Sequence, residues 1–234
     1  MTISRGEPPA AAALPLSPAA LAKLIDHTIL RPDATESEIG LYCEEAMTHG
    51  FHAVCVNPRH VKCVARLLAG SSVRTCSVVA FPFGTSTSMI KAAEAASALA
   101  DGATEIDMVI AIGALKEDRF AVVQADIAEV REAVATAVLK VIIETALLTR
   151  AEKIAACQIA VAAGADFVKT STGFASGGAT VADVALMRET VGPQIGVKAS
   201  GGIRRPEEAA AMIAAGANRL GSSASLVLIG AEPH

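Results

Sequence analysis

Residues 139–173 read LKVIIETALLTRAEKIAACQIAVAAGADFVKTSTG, and this stretch decides the fold class. A short apolar run over 139–144 is followed by an alanine-rich segment of helical spacing over 150–163, and then by a second apolar run over 167–171. Short apolar runs are typical of strands buried on both faces, whereas a longer periodic segment is typical of a helix. The stretch therefore predicts a strand, a helix and a second strand.

The same alternation extends along the chain in both directions. Eight strand-like runs lie at 24–30, 53–56, 76–81, 105–110, 139–144, 167–171, 195–200 and 219–223. Helix-like segments between them include 86–99, 119–138, 150–163 and 206–215. Strand–helix alternation predicts an α/β protein with a parallel sheet, and eight such units favour a closed (β/α)₈ barrel of the TIM type. An open doubly wound sheet is the alternative, but the glycine-rich turn that usually follows its first strand is missing after Leu30.

Local signals mark where several helices begin and end. Thr35 and Thr149 are each followed three residues later by glutamate, which is typical of a helix start. Glycines stand at predicted helix ends, namely Gly50, Gly102, Gly164 and Gly216. Residues 1–18 hold four prolines around an alanine run, and Glu7 interrupts any apolar stretch, which argues against a signal peptide. We expect a flexible tail over 1–17 and one barrel domain over 18–234.

Composition excludes several classes of protein. Hydrophobic residues make up 52% of the chain, but no run approaches the roughly 18 apolar residues of a membrane-spanning helix. The net charge of -4 and the aromatic content of 3% argue against a nucleic-acid partner. The five cysteines lack the spacing of a zinc site or a redox pair, and His27 and His52 have no metal partners at ligand spacing. These features predict a cytoplasmic protein without a metal.

Ionisable residues inside the apolar runs point to a site. Asp107, Lys140, Lys169 and Lys198 each lie in a predicted strand, one strand–helix unit apart. In a barrel they should converge near the C-terminal mouth, where active sites of this fold lie. A lysine kept neutral by a second cation can attack a carbonyl and form a Schiff base. A structural or phosphate-binding network is the alternative, but three lysines and an aspartate at strand period favour catalysis.

Glycines and hydroxyl residues cluster at the predicted strand ends. These segments include Thr172-Gly173, Ser200-Gly201-Gly202 and Gly221-Ser222-Ser223, with Arg204 nearby. Glycines let backbone N–H groups approach an anion, and barrels of this type commonly bind phosphate after their last two strands. On the first strand, Asp26 and Thr28 could bind a substrate hydroxyl or make local hydrogen bonds. Cys55 could face the pocket, although a buried apolar thiol is the default.

The chain resembles the deoxyribose-phosphate aldolase family from about Leu21 to about Leu226. The resemblance is carried by LIDHT at 24–28, VAFPFG at 79–84, EIDMVI at 105–110, LKVIIET at 139–145, DFVKTSTGF at 166–174 and GVKASGGIR at 196–204. It implies a class I aldolase without cofactor or metal. The implied reaction is the reversible cleavage of 2-deoxy-D-ribose 5-phosphate to acetaldehyde and D-glyceraldehyde 3-phosphate. The family often forms dimers or larger assemblies, so a homo-oligomer is an option.

The resemblance also implies roles for individual residues. Lys169 would form the Schiff base, Lys198 would be the neighbouring cation that favours the neutral amine of Lys169, and Asp107 would move protons. The implied substrate-binding residues are Asp26, Thr28, Cys55, Lys140, Thr172, Gly173, Gly201, Gly202, Arg204, Gly221, Ser222 and Ser223. Two positions depart from the family: Ala111 stands where many members have Asn, and Phe174 stands where some have Lys, which could weaken the grip on phosphate.

Three other functions fit the same residues. The first is another Schiff-base aldolase, of the transaldolase type or directed at keto acids. The second is a phosphosugar isomerase or epimerase that uses Asp107 or Glu144 as a base without a covalent step. The third is a non-catalytic barrel in which the lysines only bind phosphate.

Overall fold

A closed barrel of eight parallel strands forms the centre of the computed structural model, which describes residues 16–232. The strands are β1 (Ile25–Ile29), β2 (Ala53–Val56), β3 (Arg74–Val79), β4 (Glu105–Val109), β5 (Val138–Ile142), β6 (Phe167–Lys169), β7 (Gly196–Ser200) and β8 (Arg219–Ser222). Each strand pairs with the next, and β1 pairs with β8. The predicted (β/α)₈ barrel is confirmed. The open doubly wound alternative is wrong, because the pairing of β1 with β8 closes the sheet.

Helices follow the strands around the outside of the barrel. They are α1 (Pro18–Ala22), α2 (Glu36–His49), α3 (Val61–Leu67), α4 (Ser88–Ala100), α5 (Ile112–Lys116), α6 (Phe120–Val134), α7 (Arg150–Ala162), α8 (Val181–Val191), α9 (Pro206–Ala214) and α10 (Ser225–Leu228). In the part of the chain that the structure describes, no helix is both long and apolar enough to cross a membrane. The predicted tail over 1–17 lies, except for its last two residues, outside the described residues.

The predicted helix signals are confirmed where the structure tests them. The side chains of Thr35 and Thr149 each accept a hydrogen bond from the backbone N–H three residues later, and the glutamates there bond back to the threonine N–H. The glycines at the predicted helix ends all have positive φ, from 68° at Gly50 to 110° at Gly216. Helix α6 ends at Val134 rather than near 138, because Ala135 has a φ of 46° and β5 already begins at Val138.

Side chains along each strand point alternately outward to the helices and inward to the barrel, and both sets are largely buried. On β4, Ile106 and Met108 belong to the apolar core between the sheet and the helices. Glu105 and Asp107 point the other way, into the barrel, since successive strand side chains lie on opposite faces. The inside of β2 and β3 is apolar instead, with Ala53, Cys55, Cys76 and Val78 packed together under Leu30 and Phe81. The barrel interior is therefore apolar on one side and charged on the other.

The pairing register brings the charged residues to related heights. Asp107 pairs with Lys140 across β4 and β5, and Lys169 pairs with Lys198 across β6 and β7. Lys198 in turn pairs with Arg219 at the start of β8. Asp26 on β1 pairs with Gly221. Because glycine has no side chain, this pairing leaves room for charged groups from the neighbouring strands.

Candidate active site

The carboxylate of Asp107 is the point at which three lysines meet. Its Oδ2 accepts hydrogen bonds from Lys169 Nζ and Lys198 Nζ, each at 2.7 Å. Its Oδ1 accepts a hydrogen bond from Lys140 Nζ, also at 2.7 Å. Asp107, Lys140 and Lys198 are fully buried, and Lys169 is 3% exposed. The four charged residues that the strand pattern singled out are thus brought together by the fold.

Two further carboxylates and an arginine extend this group toward the N-terminal end of the barrel. Asp26 contacts Lys198 Nζ and lies 3.7 Å from Lys140 Nζ. Glu105 Oε2 lies 2.6 Å from Lys140 Nζ. Arg219 Nη1 joins the two carboxylates, at 3.0 Å from Asp26 and 3.1 Å from Glu105. We call the seven side chains the interior cluster; its members are Asp26, Glu105, Asp107, Lys140, Lys169, Lys198 and Arg219.

Sequence reasoning missed Glu105 and Arg219, although a signal was present. Glu105 lies two residues before Asp107 on the same strand, so the two side chains share a face. Arg219 opens β8 and pairs with Lys198. The signal was a charged residue two positions before a catalytic candidate, or at the start of a barrel strand. Such a residue can point into the barrel beneath the catalytic candidates and contact them.

Mutual attraction outweighs the cost of burial for most of this cluster. Burial by itself would raise the pKa of Asp107, but the ammonium groups of Lys140, Lys169 and Lys198 hold that pKa well below its usual range. Burial would lower the pKa of Lys198, yet Asp107 and Asp26 raise it above its ordinary value. The pKa of Lys140 is raised for the same reason, with Asp107 as the main partner. At neutral pH, Asp107 is therefore ionised, and Lys140 and Lys198 are protonated.

A cavity of about 270 Å³ opens above the cluster at the C-terminal mouth. Lys169 lines this cavity, whereas Lys140 and Lys198 do not. The other wall residues that were predicted as substrate-binding are Thr28, Thr172, Gly173, Gly201, Gly202, Arg204, Gly221, Ser222 and Ser223. Lys169 thus has its amine between a carboxylate beneath and an open cavity above.

Three residues predicted to bind substrate lie beneath the cavity rather than on its wall. Asp26, Cys55 and Lys140 are completely buried. Asp26 already contacts Lys198 and Arg219, so its oxygens are occupied by cations of the protein itself. None of the three lines the cavity in this structure. The wall instead includes Tyr42 and Arg31, which the sequence did not indicate.

Glycine geometry shapes part of the cavity wall. Gly201 and Gly202 have φ of 89° and 80°, which favours glycine. A Cβ on Gly178 would lie 2.1 Å from the carbonyl oxygen of Gly201, so the two loops approach too closely for a side chain. The backbone N–H groups of this wall can face an anion. Glu144 fixes the neighbouring loop, since its buried carboxylate accepts hydrogen bonds from the Thr172 backbone N–H at 3.2 Å and the Thr172 hydroxyl at 2.5 Å.

The thiols beside Asp107 do not make a good metal site. Sγ of Cys55 and Cys76 and an oxygen of Asp107 lie within 4.8 Å of one another. Both oxygens of Asp107 already accept hydrogen bonds from lysine ammonium groups, and Cys76 Sγ lies 3.3 Å from Lys140 Nζ. A divalent cation there would be repelled by these charges. Burial raises the pKa of the Cys76 thiol well above its ordinary value, which disfavours a Cys76 thiolate as a metal ligand, whereas a hydrogen bond with Cys76 lowers the pKa of Cys55.

Comparisons with known proteins identify the family of this chain. A sequence model of the DeoC/LacD family of aldolases matches residues 20–230. The chain belongs to the DeoC/LacD aldolase family. Within that family it is similar to the deoxyribose-phosphate aldolases of Brevibacillus brevis, at 57% identity over 88% of this chain and 94% of that protein, and of Lysinibacillus sphaericus, at 54% identity over 89% and 94%. The family resemblance predicted from the sequence is confirmed.

Solved structures also match the fold. A protein of Coccidioides immitis superposes with a TM-score of 0.90 at 42% identity, covering 94% of this chain and 88% of that one. The deoxyribose phosphate aldolase of Aeropyrum pernix, described as a tetramer, gives a TM-score of 0.86 at 33% identity, covering 92% and 91%. Both similarities extend over more than nine-tenths of this chain.

Proposed function

We propose that this chain is an enzyme that reversibly cleaves 2-deoxy-D-ribose 5-phosphate to acetaldehyde and D-glyceraldehyde 3-phosphate, with Lys169 as the Schiff-base lysine. The names of the relatives above support the reaction. The position of Lys169 carries the mechanism: its amine is both on the cavity wall and 2.7 Å from Asp107. Lys198 and Lys140 contact the same carboxylate from positions without access to the cavity.

The reaction begins with the neutral amine of Lys169. The amine attacks the aldehyde carbon of the open-chain sugar, and loss of water gives an iminium ion. The iminium accepts the electron pair of the C2–C3 bond when that bond breaks, while the C3 hydroxyl loses its proton. D-Glyceraldehyde 3-phosphate leaves, and an enamine of acetaldehyde stays on Lys169. Protonation of the enamine at C2 and hydrolysis by water then release acetaldehyde and regenerate the amine.

Asp107 and its lysine partners are suited to the proton transfers. Asp107 is ionised, so in the resting state it accepts a proton rather than donates one. Lys198 and Lys140 are protonated donors on the same carboxylate. When the neutral amine becomes the iminium, the Lys169 side chain gains one positive charge, which the ionised Asp107 carboxylate beside it offsets.

The glycine wall provides a binding place for the phosphate. Gly201, Gly202, Gly221 and Ser222 line the cavity across from Lys169, together with Arg204. Backbone N–H groups and a guanidinium are the donors that phosphate prefers. The substrate would then span the cavity, with its aldehyde at Lys169 and its phosphate at this wall.

Reductive trapping tests the proposal. The protein is incubated with acetaldehyde or 2-deoxyribose 5-phosphate and sodium borohydride, digested, and searched for the modified lysine by mass spectrometry. We expect a reduced adduct on Lys169 and none in Lys169→Ala, which should also lose turnover. The matched control is Lys153→Ala, a lysine paired with Asp183 on the outer helices, which should trap as the parent does. An adduct on Lys198 would exchange the two roles, and no adduct from a folded parent would favour a non-covalent isomerase or a binding protein.

We also expect the chain to form a homo-oligomer and to work in a reducing compartment. The tetramer of Aeropyrum pernix supports a homo-oligomer for this chain, which sedimentation velocity would measure directly. The five cysteines are free thiols in the structure, which fits a reducing compartment such as the cytoplasm.

A further inference from the structure

Charge in the barrel interior balances only when Lys169 is left out of the sum. The interior cluster holds three carboxylates, on Asp26, Glu105 and Asp107, and four basic side chains. Lys140, Lys198 and Arg219 neutralise the three carboxylates, and each contacts at least two of them. Lys169 contacts Asp107. It is thus the surplus cation, and it can lose its proton without leaving any carboxylate unneutralised.

Glu105 and Arg219 contribute to this balance from outside the substrate cavity. Their side chains are 4% and 9% exposed, and neither lines the cavity that contains Lys169. Arg219 also packs over the ring of Phe167, 5.2 Å from its centroid and two residues before Lys169 on β6. The pair reaches the reacting lysine through others: Glu105 contacts Lys140, which contacts Asp107, and Arg219 contacts Asp26, which contacts Lys198.

We propose that Glu105 and Arg219 are positioning residues that set the net charge around Lys169 and thereby the fraction of its amine that is neutral. This inference rests on the proposed role of Lys169 as the nucleophile. An unpaired charge inside a barrel is costly, so a change of one charge shifts proton occupancy at the nearest group that can exchange a proton. Within the cluster, we assign this response to Lys169, because it is the member that reaches the substrate cavity.

The direction of the effect is opposite for the two residues. Glu105→Gln removes a negative charge, leaves a surplus cation, and favours the neutral amine. Arg219→Met removes a positive charge, keeps most of the packing on Phe167, and favours the ammonium form. A unit charge about 10 Å away at an effective dielectric constant near 20 moves a protonation equilibrium by on the order of one pH unit. A purely structural role would impair both variants in the same direction.

Other charged and titratable groups surround the cluster and enter the design of the test. Outside its seven members, these groups are the thiols of Cys55 and Cys76, Arg31 and Arg204 on the wall of the substrate cavity, and Arg74, which lines a second cavity together with Glu105 and Arg219. His52 Nε2 lies 2.9 Å from Glu105, so its ring is a further partner of that carboxylate. The variants are therefore made in a His52→Gln background as well, so that the histidine cannot substitute for the missing arginine.

The experiment measures kcat/KM and the rate of adduct formation on Lys169 with acetaldehyde and cyanoborohydride, both across pH 5–9. We expect the acid limb of both profiles to move to lower pH in Glu105→Gln and to higher pH in Arg219→Met, each by about one pH unit. Arg219→Lys restores the charge and should match the parent. The double variant Glu105→Gln/Arg219→Met is neutral again and should return toward the parent. Asp126→Asn, in the buried pair with Lys91 between α4 and α6, is a matched control that should not move the limb.

The outcomes separate this inference from the proposed function. A parent protein that forms no adduct on Lys169 would overturn both. A parent that forms the adduct, with variants whose acid limbs stay fixed or move in the same direction, would overturn the charge-balance role alone. If Arg219→Met does not fold, Glu105→Gln and Arg219→Lys still decide the matter, because one must shift the limb downward and the other must not.

Discussion

Lys169 and Lys198 are register partners on β6 and β7, and their ammonium nitrogens both lie 2.7 Å from the same oxygen, Oδ2 of Asp107. The two side chains differ in access, since Lys169 lines the cavity and Lys198 is fully buried. The two ammonium groups therefore share one carboxylate oxygen. Access to substrate decides which lysine reacts.

Removal of the Lys198 charge should therefore impair the chemistry rather than binding. In Lys198→Leu we expect kcat to fall by about 100-fold or more, the range typical of a lost acid–base contribution, with KM for the sugar phosphate changed much less. Steady-state kinetics at neutral pH measure this. Lys198→Arg keeps a cation beside Asp107 and should retain more activity than the leucine variant. Equal activity in the two variants would contradict a role for the charge.

Glu144 should control substrate binding through the loop that it holds. Its carboxylate accepts hydrogen bonds from Thr172, and Thr172 and Gly173 are on the cavity wall. A hydrogen bond to a charged group contributes about 1.5–3 kcal/mol, so Glu144→Gln should raise KM for the sugar phosphate roughly tenfold and leave kcat within about a factor of two. Thr172→Ser keeps both donors and serves as the control. A drop in kcat at constant KM would instead favour Glu144 as a catalytic base.

Phe174 should set the preference between phosphorylated and unphosphorylated sugars. Its side chain lines the cavity, is 52% exposed, and meets the ring of Phe81 edge-on at 5.3 Å between centroids. Phe174→Lys would place a cation at the rim. We expect the ratio of kcat/KM for 2-deoxyribose 5-phosphate to that for 2-deoxyribose to rise about tenfold, as one charge-assisted contact allows. Phe174→Met is the neutral control, and an unchanged ratio in the lysine variant would place the phosphate elsewhere.

Acid should destabilise the fold through the three interior carboxylates. Burial would raise the pKa values of Asp26, Glu105 and Asp107, but the surrounding cations lower all three below their ordinary values. The unfolded chain binds protons at these groups near pH 4, where the native state still excludes them. Their stabilisation is therefore complete above about pH 5 and is lost as the pH falls through about 4 and below.

Urea unfolding at pH 7, 5, 4 and 3 measures this loss. We expect a constant free energy of unfolding from these groups between pH 7 and 5 and a steep decrease below pH 4. The control is Asp33→Asn, at an exposed carboxylate, which should leave the acid dependence almost unchanged. A protein as stable at pH 3 as at pH 7 would show that the ion pairs of the barrel are dispensable for folding.

Much of the architecture was determined by the sequence alone. Apolar runs of strand length, alanine-rich segments of helical period, threonine–glutamate caps at Thr35 and Thr149, and glycines at helix ends are local signals that act within a few residues. Eight repeats of one unit also limit the ways in which the strands can pair. The spacing of the four charged residues also placed them on successive strands, and that placement was enough to indicate a shared site. They are Asp107, Lys140, Lys169 and Lys198.

The tertiary structure decided which charges touch and which reach the cavity. The contact of Asp26 with Lys198 joins residues 172 positions apart, and it exists because barrel closure sets β1 beside β8. Asp26, Cys55 and Lys140 lie under the cavity because the stagger between strands fixes the height of each side chain, and a pattern along the chain contains no information on that height. The balance of three carboxylates against four cations likewise depends on Glu105 and Arg219, which approach each other to 3.1 Å only in the closed barrel.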